Sequence, residues 1–263
     1  MDLGLKGKRA LVLASSRGLG LGIAEALCAE GSKVVICGRS QDKLDAAARR
    51  LNDAYEGTAY PVVIDLSADN SAEELYRAAK EALGGSIDIV VNNTGGPPPG
   101  SIAAVPAEVW RQQFDSMVGR VFDLTALVLP DMRAQGWGRI LNTASSGVRQ
   151  PIPNLGISNA LRASIVGWAK TLSAEVAGDG VTVNTILPGR IHTERVDELD
   201  AAAAARTGKT VEEVATASRN AIPAGRYGRV EEFAAVAAFL VSEKASYVTG
   251  SLIAVDGGSI KGI

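Results

Sequence analysis

The sequence predicts a doubly wound α/β domain: a parallel sheet of about seven strands with helices packed on both faces, three layers in all. Three observations carry that expectation. Short β-branched runs recur along the 263 residues, each run is apolar on both sides instead of alternating, and Ala-rich amphipathic stretches long enough for helices separate them. A strand covered by helices on both faces needs that two-sided apolar character. At 46% hydrophobic residues the chain can bury one large core, so the reading is a single domain over 1–263, with no internal repeat and no interdomain linker.

In order, the expected strands are RALVLA (9–14), KVVIC (33–37), AYPVVI (59–64), IDIVVNN (87–93), RILNTA (139–144), VTVNTIL (181–187) and LIAV (252–255). Among the helices between them, one opens at Ser71 with Glu74 three residues on and another at Thr210 with Glu213, both read as capping boxes. Strict alternation of this kind implies βαβ units. One segment departs from it: about 190–228, a polar and Ala-rich insertion after the sixth strand. Its place beyond a strand's C-terminal end makes it a candidate substrate lid.

The totals narrow the function. A net charge of −2 without any block of like charge argues against nucleic acid as a partner. Cys28 and Cys37, the only cysteines, lie in apolar surroundings and read as reduced, buried thiols of a cytoplasmic protein. They are too few for a metal cage, and no metal is expected. Charges interrupt the short apolar run of MDLGLKGKRALVLA, so it reads as neither signal peptide nor membrane span. RTGKT (206–210) ends like a phosphate-binding loop, but the first glycine would fall on Ala203 and no strand precedes it. PPPG (97–100) follows directly on a strand and reads as a rigid loop bordering a pocket.

Chemistry enters at ASSRGLGLG (14–22), between the first strand and the first helix. Glycines at such a junction let main-chain amides and a helix N-terminus approach a pyrophosphate. Ser16, Arg17, Gly18, Leu19 and Gly20 are the candidate residues. The second strand ends in Gly38 and Arg39, where an acidic residue would have bonded the ribose 2′-hydroxyl of NAD. Gly38 makes room and Arg39 offers a fork of donors to a 2′-phosphate, which favours NADP(H) over NAD; Arg17 could join it.

With these residues in place the chain resembles the short-chain dehydrogenase/reductase family along almost its whole length. The motifs are SSRGLG (15–20), IDL (64–66), VVNNTGG (90–96), GRILNTASS (138–146), VTVNTILPGRIHT (181–193), IPAGRYGRVEE (222–232) and VTGSLIAVDGG (248–258). Nearest in character are 3-oxoacyl-[acyl-carrier-protein] reductase-like members. The resemblance implies a Rossmann-type fold and a homotetramer with the long central helices at an interface. It implies further that Asp65 and Leu66 hold the adenine, that Asn93, Thr94 and Gly95 flank the ribose, and that Pro188, Gly189, Ile191 and Thr193 grip the nicotinamide end.

The chain also departs from the family pattern. Leu13 and Ala14 replace the Thr-Gly that opens the family's turn, and alanine resists positive φ. Ser145 falls on the catalytic serine, but Ser158 stands for the tyrosine, Arg162 for the lysine and Met117 for the asparagine. A serine hydroxyl is a far weaker acid than a phenol, and an arginine cannot relay a proton. His192, the only histidine, lies by the expected nicotinamide site and is a candidate substitute acid. Loss of a general acid slows a reaction by about 10²–10⁴ without abolishing it. Two functions follow: an NADPH-dependent carbonyl reductase, for which the resemblance alone implies a 3-oxoacyl thioester, or a non-catalytic module that binds NADP(H) or a small ligand. In the first, Ser145, Ser158 and Arg162 carry the chemistry. An acyl carrier protein as partner would need a basic patch, for which Arg120, Arg149, Arg190 and Arg195 are candidates.

Overall fold

The computed structural model describes residues 1–55 and 58–262. Each expected strand forms: β1 (Arg9–Val12), β2 (Lys33–Gly38), β3 (Ala59–Val63), β4 (Ile89–Asn92), β5 (Gly138–Thr143), β6 (Val181–Pro188) and β7 (Leu252–Val255). The helices are α1 (Gly18–Ala29), α2 (Gln41–Tyr55), α3 (Ser71–Leu83), α4 (Ala107–Phe114), α5 (Arg120–Ala134), α6 (Gly156–Val176), α7 (Glu194–Thr207), α8 (Val211–Asn220) and α9 (Val230–Leu240). The sheet runs β3-β2-β1-β4-β5-β6-β7, and every neighbouring pair is parallel.

Helices cover both faces of this sheet. α1, α2 and α9 bury Ile23, Leu27, Leu44, Leu51 and Phe233 against one face, with Val12, Val34 and Ile36 beneath them. On the other face Leu75, Leu83, Leu124, Val128 and Ala169 of α3, α5 and α6 close over Leu11, Val35, Val90 and Ile140. The two-sided apolar runs are thus explained. The chain winds outward from β1 to β3, then returns to place β4 on the other side of β1. The order of winding therefore reverses between β1 and β4, and the crevice beyond their C-terminal ends is where an open sheet of this kind receives a ligand.

Of the two expected caps, one forms as a box. Thr210 Oγ1 accepts from the Glu213 amide at 3.2 Å, and Glu213 Oε2 accepts from the Thr210 amide at 2.8 Å. The expectation at Ser71 is corrected: Asn70 occupies the N-cap, and the buried Ser71 hydroxyl donates to Leu66 O at 3.3 Å. Ser71 is the first helical residue and points into the core, so its oxygen is out of reach of the helix amides it would cap. The insertion 190–228 carries α7 and α8, which pack on each other. Cys28 and Cys37 are free and buried, and burial pushes the Cys37 thiol up to about 12. Among the described residues no helix is long and apolar enough to cross a membrane, and no cluster of side chains could hold a metal ion.

Candidate active site

Five residues, 13–17, turn the chain from the end of β1 at Val12 to the start of α1 at Gly18. Ala14 makes that turn at φ 46°, the left-handed region that costs an alanine about 1–2 kcal/mol. Neighbouring bonds hold it there. Ser15 Oγ donates to Val12 O at 2.7 Å and accepts from Cys37 N at 2.9 Å, fastening the turn to β2. From the other side Asn93 Nδ2 donates to Leu13 O at 3.2 Å and Ala14 O at 3.3 Å. Asn93, the residue after β4, therefore ties the turn to the end of that strand. Gly20 is required by packing: a Cβ there would lie 2.5 Å from Ala14 O and 2.8 Å from Asn93 Nδ2. Gly18, at φ +59°, and Gly95 have no such neighbours; a Cβ on Gly18 would meet only Thr193 at 3.8 Å, and one on Gly95 nothing. These two glycines keep an open cradle above the turn.

At the far end of β2, a Cβ on Gly38 would approach Ser16 Oγ to 3.2 Å, so Ser16 fills the room that the glycine leaves. Arg39 is exposed and has no ion-pair partner among the described residues. Asp65 accepts from the Ser67 amide at 3.0 Å and the Ser67 hydroxyl at 2.8 Å. These bonds hold its carboxyl below the usual range, with a further contribution from the charge of Arg39. Arg17 does not join Arg39: its guanidinium is paired with Glu194 and Glu198 of α7.

Beyond β5, Ser145 is extended at φ −161°, and its Oγ accepts from Gly147 N at 3.0 Å, leaving its own O–H to donate. Ser158 and Arg162 are both buried on α6. The expected fork of Arg162 toward a ribose gives way to main-chain bonds: Nη1 donates to Thr143 O at 2.8 Å, and Nη2 to Thr94 O at 3.0 Å and Gly95 O at 3.4 Å. It pins the C-terminal end of β4 to that of β5. Burial, and then the like charge of Arg195, lower its pKa to about 10, so the cation persists at neutral pH with no carboxylate beside it. Met117 is 3% exposed and packs with Val118, Leu161 and Ile165. It lies in a π-helical turn, Asp115–Gly119, between α4 and α5, a distortion that often accompanies function, here carrying an apolar side chain. The buried hydroxyls of Thr94 and Thr143 have no hydrogen-bond partner.

The sixth strand closes the site from the side. Pro188 ends β6, and a Cβ on Gly189 would lie 2.6 Å from Asp256 Cα, so only glycine passes there. Ile191 is buried, and the bonds His192 N to Gly228 O (2.8 Å) and Gly228 N to Arg190 O (2.9 Å) hold this stretch against 226–228. Thr193 N-caps α7. His192 is 67% exposed and lies 3.4 Å from Asp197, on the outside of the segment. Among the four candidate patch arginines, Arg120, Arg190 and Arg195 are paired with Asp123, Asp200 and Glu198, and Arg149 donates to Leu252 O. Sequence reasoning missed Glu194, Glu198 and the buried Asp200; an i, i+4 pair of acids opening a helix was the available signal for the first two.

Residues 13–259 match the family model described as enoyl-(acyl carrier protein) reductase. A 3-oxoacyl-[acyl-carrier-protein] reductase of Vibrio cholerae is 34% identical over 258 residues, covering 97% of this chain and 98% of the relative. A D-beta-hydroxybutyrate dehydrogenase of Cupriavidus necator is 35% identical over 263 residues, with 97% and 98% covered. Among solved structures, L-sorbose reductase of Gluconobacter frateurii complexed with NADPH and L-sorbose superposes with a TM-score of 0.94 at 32% identity, covering 100% of each chain.

Proposed function

The chain belongs to the short-chain dehydrogenase/reductase family, and on that premise we propose that it is an NADPH-dependent carbonyl reductase with a non-standard proton donor. The glycine turn carries this reading: it is tied to β2 and β4 from both sides, yet open at Gly18 and Gly95 where a dinucleotide backbone would lie. Ser16, Arg17, Gly18, Leu19 and Gly20 would hold the diphosphate, and Arg39 the 2′-phosphate. Asp65 and Leu66 would face the adenine, Asn93, Thr94 and Gly95 the ribose, and Pro188, Gly189, Ile191 and Thr193 the nicotinamide. Exposed, unpaired Arg39 and the NADPH bound by the sorbose reductase support NADP(H) over NAD.

The cofactor would supply a hydride to the carbonyl carbon, while the carbonyl oxygen takes a proton. Ser145, with its O–H unused, donates a hydrogen bond to that oxygen. Arg162 keeps a fixed positive charge beneath it, which stabilises the oxyanion as it forms. Ser158 passes the proton from water, at a rate below that of a phenol. A 3-oxoacyl thioester is the substrate class, by likeness to the Vibrio relative, and a homotetramer built on α5 and α6 is the assembly. Two observations favour a second reading, a non-catalytic module that binds NADP(H) or a small ligand: Met117 is buried among apolar side chains, and Arg162 is bonded to main chain. The test is a fluorescence titration with NADPH and NADH, followed by NADPH oxidation against ketones and 3-oxoacyl thioesters. Turnover lost in Ser145→Ala supports the reductase. Binding without turnover supports the module, and binding of neither nucleotide overturns the reductase and leaves a module for another small ligand.

A further inference from the structure

Arg17 is the cation of the glycine turn, and its partners belong to the insertion. Its Nη1 is bonded to Glu194 Oε2 and lies 3.6 Å from Glu198 Oε1. Four residues apart, these carboxylates share one face of α7. Thr193 stands over Gly18, so the front of α7 lies across the mouth of the turn. Arg195 adds a second tie, donating to Pro97 O at 3.0 Å and to Glu198 Oε2 at 3.1 Å. The side chains of Arg17, Glu194 and Glu198 are 48%, 67% and 48% exposed, the setting in which ion pairs are weak and exchange with other anions. The rear of α7 is unlike this. Asp200 is 2% exposed and accepts from Arg190 Nη1 at 2.5 Å and from Tyr227 Oη at 2.6 Å.

We propose that Arg17, Glu194 and Glu198 form an anion-exchange latch: an entering diphosphate takes Arg17 from the two carboxylates and frees the front of α7. The proposal rests on the dinucleotide reading above. A diphosphate laid against the amides of the turn comes within reach of Arg17 and beside two carboxylates of its own sign. A guanidinium fork presents one pair of donors to one bidentate anion, so carboxylate and phosphate compete for it. Glu194 and Glu198 thus stand at the binding site and oppose binding. Their removal tightens the complex, the reverse of what loss of an ordinary site residue does.

Calorimetric titration of NADPH into the wild type, Glu194→Gln, Glu198→Gln, the double variant and Arg17→Met tests this, with hydrogen exchange over 193–200 read alongside. Inorganic pyrophosphate serves as a second probe. Each single glutamine variant is expected to bind NADPH about two- to fivefold more tightly, the scale of one exposed ion pair, and Arg17→Met more weakly. Exchange over 193–200 rises in the wild type on adding NADPH or pyrophosphate and is already high in the free double variant. Unchanged or weaker binding by the double variant, with NADPH binding the wild type, overturns the latch and leaves the dinucleotide reading standing. Binding by the double variant alone upholds the latch and overturns the wild-type chain as a working reductase. Binding by neither overturns both.

Discussion

Beyond β1 and β4, the glycine turn builds its surface from main-chain amides, small residues and the ties of Ser15 and Asn93. Beyond β5, the neighbouring surface depends on individual side chains, and there the chain carries Ser158, Met117 and an Arg162 bonded to three carbonyls. The two regions differ in what a substitution can do to them. A turn made of backbone accommodates Ala14 at φ 46° at a cost of about 1–2 kcal/mol. A proton donor depends on one atom with one pKa, and a serine hydroxyl is a far weaker acid than a phenol. Under the reductase reading proposed above, cofactor binding and acid catalysis would be separable, with the substitutions at 117, 158 and 162 falling on the second.

The largest expected effect breaks that contrast by rebuilding the altered side. Met117→Asn, Ser158→Tyr and Arg162→Lys together should raise carbonyl turnover by about 10²–10⁴, the usual worth of a general acid, measured as NADPH oxidation. Next comes Arg162→Met, which leaves three main-chain carbonyls without a donor. At about 1 kcal/mol each it should lower stability by about 3 kcal/mol and Tm by roughly 6–12 °C in a thermal scan. On the other side of the cleft, Arg39→Ala should leave Tm in place and weaken NADPH binding about tenfold while NADH is unaffected, since one charge-assisted bond is lost. The smallest change sharpens the comparison: Ala14→Gly relieves the positive φ against the added freedom of the unfolded chain. It should raise Tm by about 1–2 °C in the same scan.

Much of the fold was legible because it rests on local pattern. Both-sided apolar runs located all seven strands, and the glycine cluster located the first strand–helix junction. Ser71 misled because Ser-x-x-Glu one residue inside a helix looks the same in sequence as one at its cap. At the site, the substitutions at 117, 158 and 162 could be read from spacing, but the partners of Arg162 could not. A guanidinium can fork onto a ribose or onto carbonyls, and only the convergence of β4 and β5 decides. The same holds for Arg17 and Glu194, which are 177 residues apart. No local signal tells an arginine in a glycine turn that an acidic helix will cross above it.

The buried bonds of Asp200 have a mechanical consequence. Glu194 lies six residues ahead of it and Thr207 seven behind, so at 1.5 Å per residue α7 extends about 9 Å in front of this point and about 10 Å behind. Any motion that keeps the bonds to Arg190 and Tyr227 is a rotation about Asp200, with arms of nearly equal length. A tilt of about 20° carries the front of the helix some 3 Å one way and its rear about as far the other. Since α8 packs on α7, the lever would move the far side of the insertion in the opposite sense, and an event at the glycine turn would be felt at 211–220.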